Sequence, residues 1–390
     1  MESVLLDPER QKQAKRYARI KRRLMLVDLL LSAGYGIAWL GLGGSAGLKQ
    51  ALLGLSLWGT PVATNPWLMV ALFAGVFGGI LFIIELPLSY YSDFVLPHQY
   101  GQSNETLRGW IGDQVKGILI GAVIGGLLLE IIYLVLRTFP DIWWLWAAGL
   151  MLVFNVILAN LAPVLLLPLF NKFVPLGEEH RDLAERLVRL SERAGTKVKG
   201  VFKFDLSRRT KSANAAVTGV GNTRRIILAD TLIQEFSPDE IETVLAHELG
   251  HHVNHDIPLL IAFETISTVV GLWLASVGLG WGAAAFGFEG PADIAALPVL
   301  ILVMGLYGLI TMPLTNGFSR WRETLADRYA LASTHNGAAF AAAMTRLANQ
   351  NLSEVDPEPW VEFLLYSHPS LSKRIAMAQS SNHGGQKLAS

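Results

Sequence analysis

The chemistry most legible in this chain lies in His247-Glu248-Leu249-Gly250-His251, two histidines four residues apart with a carboxylate beside the first. On a helix, such histidines stack on one face and can reach one metal ion. Glu248 sits where it can take a proton from a water on that metal, as a general base does. The chain has no cysteine, so a metal must rest on His, Asp or Glu, and zinc is the ion that suits the pattern. A catalytic zinc needs a third protein ligand and an open position. The longer pattern that supplies it as a third histidine requires glycine at 254 and histidine at 257; Asn254 and Ile257 exclude it. His255 is a rival ligand, ranked below a carboxylate because three histidines on one straight helix spread over about two turns. The better candidate is Glu323, in Ser319-Arg320-Trp321-Arg322-Glu323-Thr324-Leu325-Ala326-Asp327. Asp327 shares its helix face and can accept the remaining ring N–H of a ligand histidine. Without the upstream motif, Arg322, Glu323 and Asp327 would read as ordinary surface pairs. With it, the ligand reading prevails.

These residues need a well-started helix for the histidines and a second one to deliver Glu323. Ser237-Pro238-Asp239-Glu240 joins an N-cap serine, a proline in the first turn and a capping-box glutamate, so a helix starts there and runs through His251. Upstream, the pattern predicts a helix over 178–194 and strands over 197–204, 213–220 and 225–229, with a hairpin turn at Gly221-Asn222. No internal repeat or low-complexity stretch interrupts the chain.

The rest of the chain is apolar. Of 390 residues 52% are hydrophobic and 16% charged, too apolar for a water-soluble enzyme of this length. Six segments approach the roughly 20 residues that span a bilayer: 24–43, 67–88, 115–136, 142–167, 257–282 and 294–314. Residues 46–59 are too short and glycine-rich for a seventh. Basic residues crowd positions 10–23, which keeps the N-terminus cytoplasmic under the positive-inside rule. Alternation then leaves only Lys49 and Arg137 as basic residues in the outer loops and puts the metal motif inside. The first span is too long and too far along the chain for a cleaved signal peptide, so it reads as a retained anchor. Acidic and basic residues balance at 32 each, so nothing argues for nucleic acid as a partner.

The expected organisation is a basic cytoplasmic segment (1–23), four spans (24–168), a cytoplasmic α+β insert ending in the motif helix (169–256), two spans (257–315), a cytoplasmic helical segment (316–379) and a polar tail (380–390). A bacterial host would place the protein in its plasma membrane, a eukaryotic one in the endoplasmic reticulum. Membrane lipid surrounds it in either case.

Together these residues resemble the type I CAAX prenyl proteases, the a-factor-converting enzymes. The resemblance runs through Leu86-Pro87-Leu88-Ser89-Tyr90-Tyr91 with Phe94-Val95, Pro168-Leu169-Phe170-Asn171-Lys172-Phe173-Val174-Pro175-Leu176, and residues 212–219. It continues in Arg225-Ile226-Ile227-Leu228-Ala229-Asp230-Thr231-Leu232, residues 247–255, Ala285-Phe286-Gly287-Phe288, residues 319–327, and Ser367-His368-Pro369 with Arg374. It implies a mainly α fold: a membrane barrel of helices around a water-filled chamber, with the zinc site facing the chamber. Glu85, Glu130 and Glu264, inside apolar spans, should then face one another, backbone or water. The resemblance also implies that Asn214 and Ala215 lie on an edge strand that pairs with substrate backbone, and that His368 and Arg374 stabilise the oxyanion. Two departures stand out. Eukaryotic members carry an additional N-terminal span, and His252 stands where many members have tryptophan; it points away from the ligand face and reads as structural.

The function expected is zinc-dependent endoproteolysis of a polypeptide, prenylated or not, with general membrane-protein quality control as the alternative substrate class. A metal-regulated transporter is the rival of a different kind, disfavoured because the two halves show no repeat symmetry.

Overall fold

The computed structural model describes residues 5–219 and 224–387, with side chains through Ser381. The Gly221-Asn222 turn lies outside the described residues.

Among the described residues, six helices are long and apolar enough to cross a membrane. The first, α1 (Pro8–Gly41), starts with Pro8 in its first turn while the Asp7 carboxylate accepts from the Glu9 and Arg10 amides. The basic cluster is thus the opening stretch of the first span helix itself. The short helix α2 (Gly44–Leu53) crosses nothing, as expected from its length. Helix α3 (Pro66–Ser89) continues through a π-helical stretch, Tyr90–Val95. The spans α4 (Leu107–Thr138) and α5 (Trp143–Leu161) follow. Only 0% to 33% of each span's most apolar window is buried inside the chain. The spans therefore form an open arrangement with wide uncovered faces, which fits a barrel better than a solid bundle. Glu85 faces another span, accepting from Ser32 Oγ at 2.5 Å.

Outside the spans, four strands form one sheet: β1 (Phe173–Pro175), β2 (Val201–Phe204), β3 (Ala215–Thr218) and β4 (Arg225–Ala229), in the order β1-β2-β4-β3. The β2–β4 pair is parallel and the others antiparallel. Ile226, Leu228 and Ala229 are fully enclosed, which makes β4 central and leaves β3 at an edge. Strand β1, three residues ending in proline, carries too little alternation to have been predicted. Helix α6 (Arg181–Arg193) lays Leu183, Leu187 and Leu190 on this sheet.

Helix α7 (Pro238–Val253) begins with the capping box foreseen: the Ser237 amide donates to Glu240 Oε2 at 2.7 Å and the Glu240 amide to Ser237 Oγ at 3.3 Å. Its Ile241, Leu245 and Leu249 join the sheet's core, which turns the histidine face away. Asn254 and a left-handed His255 (φ 55°) then reverse the chain into the fifth span, α8 (Asp256–Phe286). The sixth, α9 (Leu297–Thr334), runs 38 residues as one helix beyond its apolar stretch, carrying Glu323 and Asp327 on its far part. It crosses α7 closely, so that a Cβ on Gly250 would lie 2.9 Å from Ala326 Cα and 3.0 Å from its carbonyl oxygen. Helices α10 (Gly337–Gln350), α11 (Pro359–Leu365) and α12 (Leu371–Lys387) close the fold. The last of these carries helical backbone into the segment expected to be a tail.

The N-terminal helix is clasped to the C-terminal part. Arg10 Nε donates to the Asn349 carbonyl at 2.6 Å, Gln11 bonds Ser353 and Val355, and Arg22 pairs with Glu354 at 2.9 Å.

Candidate metal centre

Helix α7 offers His247 and His251 from one face, and α9 brings Glu323 to them. The Nε2 atoms of the two rings stand 3.3 Å apart. Glu323 Oε2 lies 3.2 Å from His247 Nε2, and Oε1 lies 3.5 Å from His251 Nε2. One ligand atom from each of the three residues falls within 4.8 Å of the others.

His247 Nδ1 is 2.8 Å from Asp327 Oδ1, and His251 Nδ1 is 2.6 Å from Asp256 Oδ2. An ionised carboxylate only accepts, so each Nδ1 donates its proton, and a ring with no second proton carries its lone pair at Nε2. Glu323 Oε2 is buried without a hydrogen-bond partner. With both rings neutral, these three acceptors need a cation between them, a proton or a metal ion. Two nitrogens bound tetrahedrally to zinc lie about 3.3 Å apart, so the residues present fit that ion.

In the metal-free protein a proton takes the same place. Burial works against a charged ring, but hydrogen bonds to Asp327 and Glu323 outweigh it and hold the His247 pKa up at about 9. A pKa raised from 6.5 stabilises the metal-free fold fully below pH 6.5, and the benefit is lost as pH rises through about 9. A metal ion bound at Nε2, zinc being the one that fits, would have to displace this proton. Its affinity is therefore expected to rise about tenfold per pH unit across that window and then level off. Chelator competition at several pH values, with the metal-free Tm measured in parallel, checks both slopes; an affinity flat across the window would remove the exchange of proton for metal.

The expected partner of a ligand histidine, Asp327, is wholly buried, and Arg374 clamps it through Nε at 2.8 Å and Nη2 at 2.6 Å. Arg374 therefore stands behind His247, with two of its three nitrogens engaged. The ring of His368, 56% exposed, places Nε2 3.3 Å from Glu323 Oε1. Partial desolvation, with Arg374 nearby, holds its pKa below the ordinary value against the pull of Glu323. Both residues line a cavity of about 740 Å³ bounded on the other side by Tyr17, Lys21 and Arg22 of α1. Glu248 is half-buried on α7, and burial raises its pKa above the usual glutamate value. Among the described residues, no hydrogen bond or ion pair ties up its carboxylate.

Ala215 lies on the edge strand and Asn214 just before it. The Asn214 carbonyl accepts from the Ala229 amide at 2.9 Å, and the alternation of an antiparallel ladder then points the Ala215 backbone groups away from β4. His252 bonds the backbone of Val217 on the same strand, and burial with Arg224 close by lowers its pKa. The rival ligand His255 is exposed and outside the cluster, because the helix has ended before it. Sequence reading missed Asp256, which backs His251, and Arg322, which bonds Asp256 through Nε at 2.6 Å rather than lying on the surface. The only hint in the sequence was an aspartate five residues past His251, just after the helix stop.

Comparison with known proteins agrees with the geometry. Residues 3–172 match the CAAX prenyl protease N-terminal domain, described as five membrane helices, and residues 178–382 match peptidase family M48. The chain is 28% identical to the uncharacterized metalloprotease YhfN of Bacillus subtilis over 96% of this chain and 86% of that one. It is 31% identical to CAAX prenyl protease 1 of Saccharomyces cerevisiae over 78% of this chain and 70% of the yeast protein. The fold superposes on the crystal structure of S. mikatae Ste24p with a TM-score of 0.85 at 25% identity, covering 97% and 92% of the two chains. Six span helices, an H-E-x-x-H helix with a distant glutamate, and these likenesses lead to one conclusion: the chain belongs to peptidase family M48, among the CAAX prenyl proteases, and is a multi-pass membrane metalloprotease.

Proposed function

We propose that the protein is a zinc endopeptidase acting on membrane-associated polypeptides from the cytoplasmic side, in the plasma membrane of a bacterium or the endoplasmic reticulum of a eukaryote. His247, His251 and Glu323 hold the ion. When bound there, zinc supplies Lewis acidity that polarises a carbonyl and makes water a better nucleophile at neutral pH. Glu248 takes the proton of the attacking water and returns it to the leaving amine. His368, facing the cavity, donates to the oxygen on which charge develops, with the Arg374 charge behind it. The free backbone of Ala215, with Asn214 beside it, pairs with an extended substrate. The observation that carries this reading is the convergence of His247 Nε2, His251 Nε2 and the buried Glu323 carboxylate on one point, beside an unengaged Glu248.

The substrate class follows from the relatives' names and from the membrane setting: a polypeptide carrying an isoprenoid near its C-terminus. Pairing through backbone also suits broad-specificity cleavage of membrane proteins, because main chain is read more than side chains. Protein in liposomes, given one peptide with and without a farnesyl group, separates the two. The prenyl reading expects kcat/KM to be higher by about tenfold or more for the lipidated peptide, since lipid anchoring concentrates it at the bilayer. Equal kcat/KM for the two peptides favours the broader reading, and no cleavage of either peptide by zinc-loaded protein sinks both.

A further inference from the structure

The two ligand histidines are backed in the same way by unrelated parts of the chain. His247 donates to Asp327, which Arg374 clamps from α12. His251 donates to Asp256, and Arg322 holds that aspartate from α9. The geometry points to Asp256 and Arg322 as positioning residues for the metal: they fix the tautomer and direction of the His251 ring and tie it to the helix that delivers Glu323. This assignment rests on the zinc reading of the centre.

Asp256 is 2% exposed and Arg322 7%. A carboxylate so enclosed needs a partner, and here it has two, one on each oxygen. Oδ2 accepts from His251 Nδ1 at 2.6 Å and Oδ1 from Arg322 Nε at 2.6 Å. Because the carboxylate can only accept, the ring proton is held at Nδ1 and Nε2 keeps the lone pair a metal requires. Arg322 also donates through Nη2 to the Asn254 carbonyl at 2.7 Å, at the end of α7. A single guanidinium therefore joins the C-terminus of the histidine helix, the aspartate behind His251 and, one residue along α9, the third ligand. The left-handed His255 makes this possible, since the reversal there returns Asp256 to a ring it would otherwise lead away from.

The test uses the full chain in detergent, with zinc affinity measured by competition against a chromophoric chelator and the metal-free Tm measured alongside. Asp256→Asn is expected to weaken zinc binding by about 10- to 100-fold. Asp256→Glu, which keeps the acceptor, retains most of the affinity, and Arg322→Gln weakens it by a smaller factor. The control is Arg186→Gln, which breaks pairs with Asp239 and Glu242 near the start of the same helix. It should change the metal-free Tm yet leave zinc affinity within about threefold of wild type. Asp256→Asn with near-wild-type affinity overturns the assignment, and so does a loss of affinity that tracks Tm equally in Asp256→Asn and Arg186→Gln. If Asp256→Asn does not fold, the comparison of Arg322→Gln with Arg186→Gln decides by the same criterion. Wild-type protein that binds no zinc would instead defeat the underlying reading of the centre.

Discussion

Glu248→Gln is expected to lower kcat on the order of 10³-fold while zinc content and metal-free Tm stay near wild type. The amide has the shape of the carboxylate but cannot take a proton. Its loss leaves His247, His251 and Glu323 untouched, and no described residue depends on Glu248 for a hydrogen bond. The effect should therefore fall on kcat rather than on substrate binding. Wild-type activity should decline on the acid side with an apparent pKa above that of an ordinary glutamate, because burial disfavours the charged carboxylate and protonation removes the base. Single-turnover cleavage of a membrane-anchored peptide, with zinc determined by elemental analysis, measures both quantities. A variant that retains full activity would strip Glu248 of its role.

Gly250→Val is expected to weaken zinc binding on the order of 100-fold, because displacements near 1 Å at a reacting centre have effects of that size. Gly250 lies between the two ligand histidines, and its α-carbon faces α9 where that helix carries Ala326. An added Cβ would meet Ala326 Cα at 2.9 Å and its carbonyl oxygen at 3.0 Å. Both are backbone atoms, so no side chain can swing aside and the helices must part. Glu323, three residues before Ala326, would move away from the histidines. The Tm should fall as well, overpacking costing about 1–3 kcal/mol. Gly250→Ala should show the same two effects at smaller size. Unaltered zinc affinity together with an unaltered Tm would mean that the crossing does not set the ligand geometry.

How far the sequence discloses this molecule depends on the range of each interaction. The capping box at Ser237, the six spans and the shared face of Glu323 and Asp327 all come from residues close together in the chain, and they were legible. The meeting of Glu323 with the histidines was inferred from what zinc requires, not from any local pattern. Contacts set only by tertiary closure stayed hidden. Asp256 stood as the last residue of the cytoplasmic insert with no role of its own, and its return to His251 depends on one left-handed residue. Arg322 was given no role, because the Asp256 and Asn254 groups it binds lie 66 and 68 residues away in sequence. The resemblance of Ser367-His368-Pro369 and Arg374 to known relatives marked both as site residues, but not that Arg374 would have its guanidinium engaged by Asp327. Strand β1, at three residues, is too short for its alternation to register.

The grip of α1 on the C-terminal part sets an order of events during biogenesis. Its bonds join residues 332 to 344 positions apart, so none can exist while the ribosome is still making the middle of the protein. Helix α1 must wait, with Arg10, Gln11 and Arg22 unmatched, until Asn349, Ser353, Glu354 and Val355 have been translated. Only then does the compartment shared by Tyr17, Lys21, His368 and Arg374 acquire both its sides. A protease assembled in this sequence holds its cutting chamber unfinished throughout synthesis, when newly made neighbours in the same membrane are least folded.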